Sequence, residues 1–313
     1  MLKIVFLDAD TVGNIKALQQ LKELGPVTLY PYTPPEDTLS RIQDADIVLT
    51  NKVVVHKKHI DACPQLKLIC ITATGTNNVD IAYAEQKGIV VKNVVGYAVE
   101  TVAQHTFACL LHLLNQIGYY DNFVKTGQYC QSRTFTHIKG DFFELFGKRM
   151  GIIGLGNIGK SVARIAKGFG MEVVYHSTSG KNIATEYEQI GLTELLQTSD
   201  VVSINAPLND HTRALMGYAA IKLMKPTAIL MNMSRGGIVV EADLVKAVND
   251  NLIRGACIDV YEQEPIALNH PYLSVKEPDR WVLTPHVAWA AIEARERLMD
   301  NIIVHIKKFR SDH

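Results

Sequence analysis

From residue 3 to residue 98, short apolar runs alternate with amphipathic stretches. The runs are rich in Ile, Val and Leu, which is typical of buried strands in a parallel sheet, and the stretches between them have helical spacing. This alternation favours an α/β domain with helices on both faces of its sheet. Predicted strands lie at 3–7, 27–30, 47–50, 66–72 and 89–92, and predicted helices at 15–24, 39–43, 57–63 and 81–87.

The next segment is strongly apolar from about Val99 to about Lys125, which predicts one long helix buried between layers or domains. Residues 126–147 follow as an irregular segment rich in aromatic side chains. Two interpretations fit this segment equally well: a packed surface loop, or an arm that reaches onto a second subunit. The second interpretation favours a homodimer.

A second α/β pattern begins near Gly147. Its predicted strands lie at 150–153, 172–175, 201–204, 228–231, 255–258 and 281–283, and its predicted helices at 160–169 and 241–249. A last helix is predicted at 290–309, and we expect it to cross back to the first domain, which lacks a closing helix of its own. The predicted domains are therefore 1–98 with 288–313, and 99–287 inserted between them.

Composition narrows the possible function classes. Hydrophobic residues make up 47% and charged residues 20% of the chain, which fits a globular protein with a sizeable core. Lys plus Arg equals Asp plus Glu at 32 each, so charge gives no reason to expect nucleic acid or a membrane as partner. The start of the chain is charged too early for a signal peptide. Five scattered cysteines, mostly in apolar surroundings and without metal-ligand spacing, are expected to be reduced core thiols of a cytoplasmic protein.

The most specific motif is G-x-G-x-x-G at Gly154, Gly156 and Gly159, between a predicted strand and a predicted helix. Gly154 would allow the tight turn, Gly156 the approach of backbone to a pyrophosphate, and Gly159 the packing of helix on strand. The pyrophosphate would lie at the helix N-terminus, against N–H groups without helical partners. The motif predicts a dinucleotide site. The residues expected around the pyrophosphate are Gly154, Leu155, Gly156, Asn157, Ile158 and Gly159.

The strand that follows this helix lacks the acidic residue that usually binds the ribose 2′-hydroxyl of NAD. His176, Ser177 and Thr178 stand there instead, with Lys181 a little further on. Hydroxyl groups and Lys181 could accept a 2′-phosphate, although the hydroxyls could equally serve the ribose of ordinary NAD. We therefore predict NAD(P)H as cofactor, with use of both forms or a preference for NADP.

Three polar segments of the second domain each follow a predicted strand, where ligands of open α/β sheets bind. The first contains Arg235, whose guanidinium can hold a carboxylate in two hydrogen bonds and polarise a carbonyl beside it. The second contains Glu264. The third contains His286, a suitable proton carrier near neutral pH, whose tautomer a neighbouring carboxylate would fix. Alone, His286 would more often be structural; with Arg235 and Glu264, catalysis is the better interpretation.

These motifs resemble those of the D-2-hydroxyacid dehydrogenase family, in its hydroxypyruvate reductase and glycerate dehydrogenase branch. The resemblance covers nearly the whole chain, because the matching segments are spread along it in the family's order. The matching segments are Ala73–Asp80, Val102–Thr106, Gly154–Gly159, Asn205–Leu208, His211–Arg213, Asn232–Gly237, Glu262–Pro265 and Pro285–Trp289.

The resemblance implies a Rossmann dinucleotide-binding domain inserted into a flavodoxin-like substrate (catalytic) domain, both with doubly wound parallel sheets. It implies that His286 is the general acid/base, that Glu264 pairs with its imidazole, and that Arg235 binds the 2-oxo acid. The family's pattern places the substrate carboxylate against Thr74, Gly75 and Thr76, and substrate binding is expected to close the two domains. The further residues expected near the cofactor are Ala206, Pro207, Met233, Ser234, Arg235, Asp259 and His286.

The implied reaction moves a hydride between NAD(P)H and a small 2-oxo acid, converting hydroxypyruvate or glyoxylate to D-glycerate or glycolate. Trp289, close to His286, would narrow the substrate pocket and favour such short acids; it could instead merely precede the last helix.

Two other functions stay open. One is another D-2-hydroxyacid dehydrogenase, acting on D-lactate or on phosphoglycerate, although the latter enzymes often carry a regulatory domain for which this chain leaves no room. Formate dehydrogenase is disfavoured because its site replaces the Glu–His pair. The other is a dinucleotide-sensing scaffold without catalysis, which the presence of Arg235, Glu264 and His286 disfavours.

Overall fold

The computed structural model describes residues 2–180 and 186–312, and the chain divides into two compact units. The first consists of residues 1–98 and 290–313, and the second of residues 99–289. The second unit therefore interrupts the first along the chain. The sequence placed the second boundary between 287 and 288, close to this division. Among the described residues, no helix has both the length and the apolar character needed to cross a bilayer.

The first unit is built on a parallel sheet with the strand order β2-β1-β3-β4-β5, which is the flavodoxin-like order. Its strands are β1 (Ile4–Phe6), β2 (Val27–Leu29), β3 (Ile47–Thr50), β4 (Leu68–Ile71) and β5 (Val90–Asn93). The connecting helices are α1 (Ala17–Lys22), α2 (Thr38–Ile42), α3 (Lys57–Asp61) and α4 (Ile81–Gln86). Every residue of β1, β3 and β4 is buried, as expected for central strands covered on both faces.

The last helix, α11 (Ile292–Asp312), belongs to this first unit. Glu296 accepts hydrogen bonds from the backbone N–H groups of Lys16 and Ala17 at the start of α1, at 2.7 and 3.0 Å. Arg310 donates to the carbonyl of Leu24 at 2.7 Å, beyond the end of α1. These contacts attach the C-terminal helix to the unit that begins the chain.

The second unit has a parallel sheet with the order β12-β11-β10-β9-β6-β7-β8. Its strands are β6 (Arg149–Ile153), β7 (Glu172–His176), β8 (Glu188–Gln189), β9 (Val201–Ile204), β10 (Ile229–Asn232), β11 (Gly255–Ile258) and β12 (Trp281–Leu283). Its helices are α5 (Val99–Leu114), α6 (Ile117–Lys125), α7 (Asn157–Gly168), α8 (Leu192–Thr198), α9 (Tyr218–Ile221) and α10 (Glu241–Asn249). The strand order reverses direction between β6 and β9, where doubly wound sheets bind their ligands. The predicted fold class is confirmed.

The single long helix predicted from Val99 to Lys125 is wrong. The structure has two helices, because Gln116 adopts a left-handed conformation with φ 52° and turns the chain between them. A Cβ at Gly118 would lie 3.1 Å from the His112 ring, so glycine allows α6 to approach the end of α5. The burial expected for the stretch holds for α5, whereas α6 has no buried residue among those described.

Three smaller expectations also need correction. Helix α7 begins at Asn157, before the last glycine of the motif, so Gly159 lies inside the helix. The short strand β8 and the helices α8 and α9 were not predicted. The cysteines are free thiols, as expected, but Cys130 is exposed while the others are buried.

Candidate functional site

The glycine motif forms the turn from β6 into α7. Gly154 has φ +91°, and a Cβ there would lie 2.9 Å from the backbone of Ala206. A Cβ on Gly159 would overlap the carbonyl oxygen of Gly154. Both glycines are thus required by the protein's own packing and backbone conformation.

Gly156 has no such structural reason. Its backbone (φ −80°, ψ −164°) suits any residue, and a Cβ there would meet nothing within 4 Å. It is the N-cap of α7, so no side chain caps the first turn of that helix. Open space beside uncapped N–H groups at a helix N-terminus fits a dinucleotide pyrophosphate. Leu155 is buried, and Asn157 and Ile158 are the first two residues of α7.

The segments after β9 and β10 lie against this turn. Ala206, after β9, contacts Gly154, and its carbonyl accepts a hydrogen bond from the hydroxyl of Ser234, after β10. Pro207 beside it is exposed, whereas Met233 is 6% exposed and belongs to the core. The structure thus brings together the predicted cofactor contacts of three strand ends.

The end of β7 carries His176, Ser177 and Thr178, all half-buried. A cavity of about 400 Å³ lies here, lined by His176, Thr178, Ser179, His211 and Leu215. None of these lining residues is acidic, and the hydroxyl oxygen of Ser177 is buried without a hydrogen-bond partner among the described residues. Lys181, which the sequence placed near a 2′-phosphate, lies outside the described residues.

Arg235 follows β10 and is half-buried. Its guanidinium donates to the carbonyl of Ser234 at 2.7 Å. Within residues 2–180 and 186–312, no carboxylate lies within ion-pair distance of it. A half-buried guanidinium without an anionic partner can bind the carboxylate of a ligand.

His286 and Glu264 lie side by side after β12 and β11. The Nδ1 atom of His286 lies 2.7 Å from one carboxylate oxygen of Glu264 and 2.9 Å from the other. The two side chains are 25% and 27% exposed. Because Nδ1 donates to the carboxylate, a neutral ring presents Nε2 as its acceptor, and a charged ring presents an Nε2–H donor.

The backbone of His286 has φ 55°, a left-handed conformation that costs free energy in a residue with a side chain. Its N–H donates to the carbonyl of Asp259 at 2.8 Å. The carboxylate of Asp259, fully buried, accepts from the N–H groups of Val287 and Ala288, both at 2.9 Å. It also accepts from the hydroxyl of Thr284 at 2.6 Å. Asp259, expected near the nicotinamide, therefore also holds the strained loop that carries the imidazole.

The residues predicted for the substrate lie in both units. Thr74, Gly75 and Thr76 follow β4 in the first unit, and the side chain of Thr74 donates to the carbonyl of Val94 at 3.1 Å. Trp289, at the end of the second unit, is partly buried. The roles assigned to these residues stay predictions.

The sequence did not single out three residues that shape this site: Tyr261, Glu241 and His270. The N–H of Tyr261 donates to Glu264 at 3.0 Å, and its hydroxyl donates to the carbonyl of Thr284 at 2.9 Å. Glu241 and His270 form a second carboxylate–imidazole pair at 2.8 Å. The sequence held two signals: Tyr261 follows the predicted strand at 255–258, and Glu241 begins the predicted helix at 241–249.

The chain is similar to known proteins over most of its length. The family model "D-isomer specific 2-hydroxyacid dehydrogenase, NAD binding domain" matches residues 107–288, more than half of the chain. A hydroxypyruvate reductase of Blautia hydrogenotrophica is 36% identical over 98% of this chain and 97% of that protein. A glycerate dehydrogenase of Methylorubrum extorquens is 36% identical over 98% of this chain and 96% of that protein.

A solved structure is similar over almost the whole chain. It is an NADPH-dependent glyoxylate/hydroxypyruvate reductase from Sinorhizobium meliloti, in complex with NADP and malonate. Its TM-score is 0.83 at 25% identity, covering 99% of this chain and 93% of that one.

Proposed function

Because the chain belongs to the D-isomer specific 2-hydroxyacid dehydrogenase family, we propose that it reduces a small 2-oxo acid with NAD(P)H. The proposed substrates are hydroxypyruvate and glyoxylate, and the products are D-glycerate and glycolate. The observation that carries this proposal is the hydrogen-bonded pair of His286 and Glu264 together with the guanidinium of Arg235, on three consecutive strand ends of one sheet.

Each of these residues has a role in the proposed reaction. When bound, the nicotinamide supplies the hydride. Arg235 binds the carboxylate of the 2-oxo acid and polarises its carbonyl, so that negative charge growing on the oxygen is stabilised. His286 donates the Nε2 proton to that oxygen, and Glu264 keeps the ring oriented with Nδ1–H towards its carboxylate. Thr74, Gly75 and Thr76 are proposed as further contacts of the substrate carboxylate.

The assay is the loss of NAD(P)H absorbance with a panel of 2-oxo acids. We expect turnover with hydroxypyruvate and glyoxylate, and its near-complete loss in His286→Ala. Full turnover by that variant would exclude His286 as the proton donor. A protein that binds the dinucleotide tightly but turns over none of these acids would instead be a sensing scaffold.

Trp289 is proposed to restrict the substrate to short acids. The wild-type protein should therefore prefer hydroxypyruvate to a branched 2-oxo acid, and Trp289→Leu should reduce that preference. Faster wild-type turnover of the branched acid would contradict this proposal. Unchanged preference in the variant would leave the indole with a structural role only.

NADPH is proposed as a cofactor at least as good as NADH. The support is the end of β7, where the cavity has no acidic lining residue and hydroxyl groups stand in place of a carboxylate. Thr178→Asp should raise the KM for NADPH and leave that for NADH nearly unchanged, since a carboxylate repels the 2′-phosphate. Thr178→Asn is the matched neutral control. A catalytic efficiency with NADH far above that with NADPH would contradict the proposal.

A homodimer is proposed as the assembly. Helix α6 has no buried residue, and the segment after it exposes Phe135, Ile138 and Phe146 at 90%, 72% and 76%. Apolar side chains exposed to this degree usually mark an interface. Sedimentation should show a dimer that Phe135→Asp weakens; a wild-type monomer at high concentration would exclude it. The cytoplasmic location stays a prediction.

A further inference from the structure

A second carboxylate–imidazole pair lies next to the loop that carries Glu264. Glu241, the first residue of α10, has one carboxylate oxygen 2.8 Å from Nε2 of His270. Its other oxygen accepts the backbone N–H of Glu262 at 2.9 Å. The side chains of Glu241 and His270 are 13% and 7% exposed. This carboxylate therefore joins the start of α10 to the loop after β11 with little competition from water.

The hydrogen bonds of His270 determine its tautomer. The N–H of Tyr272 donates to Nδ1 of His270 at 3.2 Å, so Nδ1 must carry a lone pair. A neutral ring then has its only proton on Nε2, which donates to Glu241. Each member of the pair therefore accepts one backbone N–H, and the proton between them is on Nε2 of His270. The other neutral tautomer of the imidazole would leave both of its nitrogen atoms without a suitable partner.

Tyr261 connects this pair to the Glu264–His286 pair. Its ring stands edge-on to His270, with centroids 5.9 Å apart and planes at 90°. Its N–H donates to Glu264, and its hydroxyl donates to the carbonyl of Thr284, in the loop that leads to His286. Burial raises the pKa of Tyr261 to about 12, so the hydroxyl remains a donor at any ordinary assay pH.

The loop of Arg235 packs against the same residue. A Cβ at Gly236 would overlap the carbonyl oxygen of Tyr261, so these two loops touch backbone to backbone. The strands β10, β11 and β12 are neighbours in the sheet, and Tyr261 lies where the loops after all three meet. Its position therefore bears on Arg235, Glu264 and His286 together.

We propose that Tyr261 and the Glu241–His270 pair are positioning residues for the reaction. They fix the loop after β11 so that the carboxylate of Glu264 stays at Nδ1 of His286. This inference rests on the proposed function. In this proposal the three residues do not contact substrate or cofactor. They act through Glu264 and through the carbonyl of Thr284.

Glu241→Gln tests the pair without changing its shape. The amide oxygen can still accept from Glu262, but the amide nitrogen then faces the Nε2–H of His270. If His270 takes its other tautomer, its Nδ1–H faces the N–H of Tyr272. We expect kcat to fall about 10-fold or more, because small misplacement of reacting groups is costly. The KM for the 2-oxo acid should change little, since Arg235 is untouched.

Tyr261→Phe removes only the hydroxyl bond to Thr284 and serves as a second variant if Glu241→Gln folds poorly. It should lower kcat several-fold with little change in KM. Asp200→Asn is the matched control. Like Glu241, Asp200 accepts hydrogen bonds from a backbone N–H and from a side chain: the N–H of Arg149 at 2.8 Å and Nζ of Lys225 at 2.9 Å. It lies at the amino ends of the strands, whereas the candidate site lies at their carboxyl ends. Its loss should lower stability and leave kcat unchanged.

A measurement without substrate separates this inference from the proposed function. In ¹⁵N-histidine-labelled protein, the resonances of His286 are assigned by their absence in His286→Gln. Glu241→Gln and Tyr261→Phe should shift the His286 Nδ1 resonance and the midpoint of its pH titration, whereas Asp200→Asn should not.

The outcomes are distinct. Shifted His286 resonances in a protein that reduces no 2-oxo acid would support the positioning of the imidazole while the proposed function fails. An active protein in which both variants keep wild-type kcat and an unchanged His286 titration would overturn the inference. So would equal effects of Asp200→Asn, since the changes would then reflect stability alone.

Discussion

Replacement of Arg235 by methionine should separate activity from stability. Its guanidinium makes one hydrogen bond, at 2.7 Å, to the carbonyl of the adjacent Ser234, and the described residues offer it no carboxylate partner. Methionine keeps much of the volume and leaves no protein anion unpaired. A lost bond of this kind is worth about 1 kcal/mol. The melting temperature should therefore fall by a few degrees at most, about 2–4 °C for a domain of this size.

The effect on activity should be far larger. A guanidinium that holds a carboxylate through two charge-assisted hydrogen bonds contributes about 1.5–3 kcal/mol for each. Their combined loss is about 3–6 kcal/mol, which lowers kcat/KM about 10²–10⁴-fold, since 1.4 kcal/mol is a factor of ten. Arg235→Lys keeps the charge but not the planar fork, so its loss should be intermediate.

Steady-state kinetics with hydroxypyruvate and thermal unfolding of the same samples test both expectations. Arg149→Met is the control, because it makes the same replacement at the first residue of β6, away from the strand ends that carry the candidate site. There Arg149 pairs with Glu172 of β7 at 2.7 Å. That variant should keep full activity. Arg235→Met with kcat/KM within tenfold of wild type would refute the role of Arg235 in substrate binding. Severe destabilisation of Arg235→Met would instead show that the guanidinium has a structural duty.

Gly156→Ala should keep the wild-type melting temperature but weaken dinucleotide binding measured by fluorescence, because its Cβ enters the open space proposed for the pyrophosphate. Gly159→Ala should have a lower melting temperature, because its Cβ would overlap the carbonyl oxygen of Gly154. Equal losses of stability in the two variants would contradict this prediction. Glu264→Gln should lower kcat about tenfold, since the imidazole of His286 loses the carboxylate that orients its ring; a kcat equal to that of the wild type would exclude this role of Glu264. Burial raises the pKa of the Cys109 thiol to about 12, so a Cys130→Ser protein should resist maleimide at pH 9 until it is unfolded; rapid native labelling would contradict its burial.

The sequence alone predicted the family, and the comparisons confirm it. It also predicted the positions of the principal strands along the chain. The bounds of several strands match to the residue, such as those of β9 at Val201–Ile204 and β12 at Trp281–Leu283. Most of these strands, such as β9, β10 and β11, are buried along their whole length, so their apolar composition alone marks them. The candidate residues Arg235, Glu264 and His286 were found because each follows such a strand, and the carboxyl end of a parallel strand is fixed once the strand is known.

Other features depended on tertiary structure. The break at Gln116 has no proline to mark it, and the nearby Gly118 lies inside α6; the left-handed turn exists because α6 packs back near the end of α5. In the sequence Gly156 cannot be distinguished from the other glycines of its motif. Only the structure shows that packing does not require a glycine at this position. Both distinctions depend on neighbours far along the chain.

Local periodicity thus determined which segments of this protein form strands and which ends carry polar residues. What those polar residues do to one another was decided by the side-by-side arrangement of β10, β11 and β12. Tyr261 reaches Thr284, and Glu241 reaches Glu262, only because those strands are adjacent. Hydrophobic spacing records whether a residue is buried, but a hydrogen bond requires a particular partner at a particular distance, and only the folded chain specifies that partner.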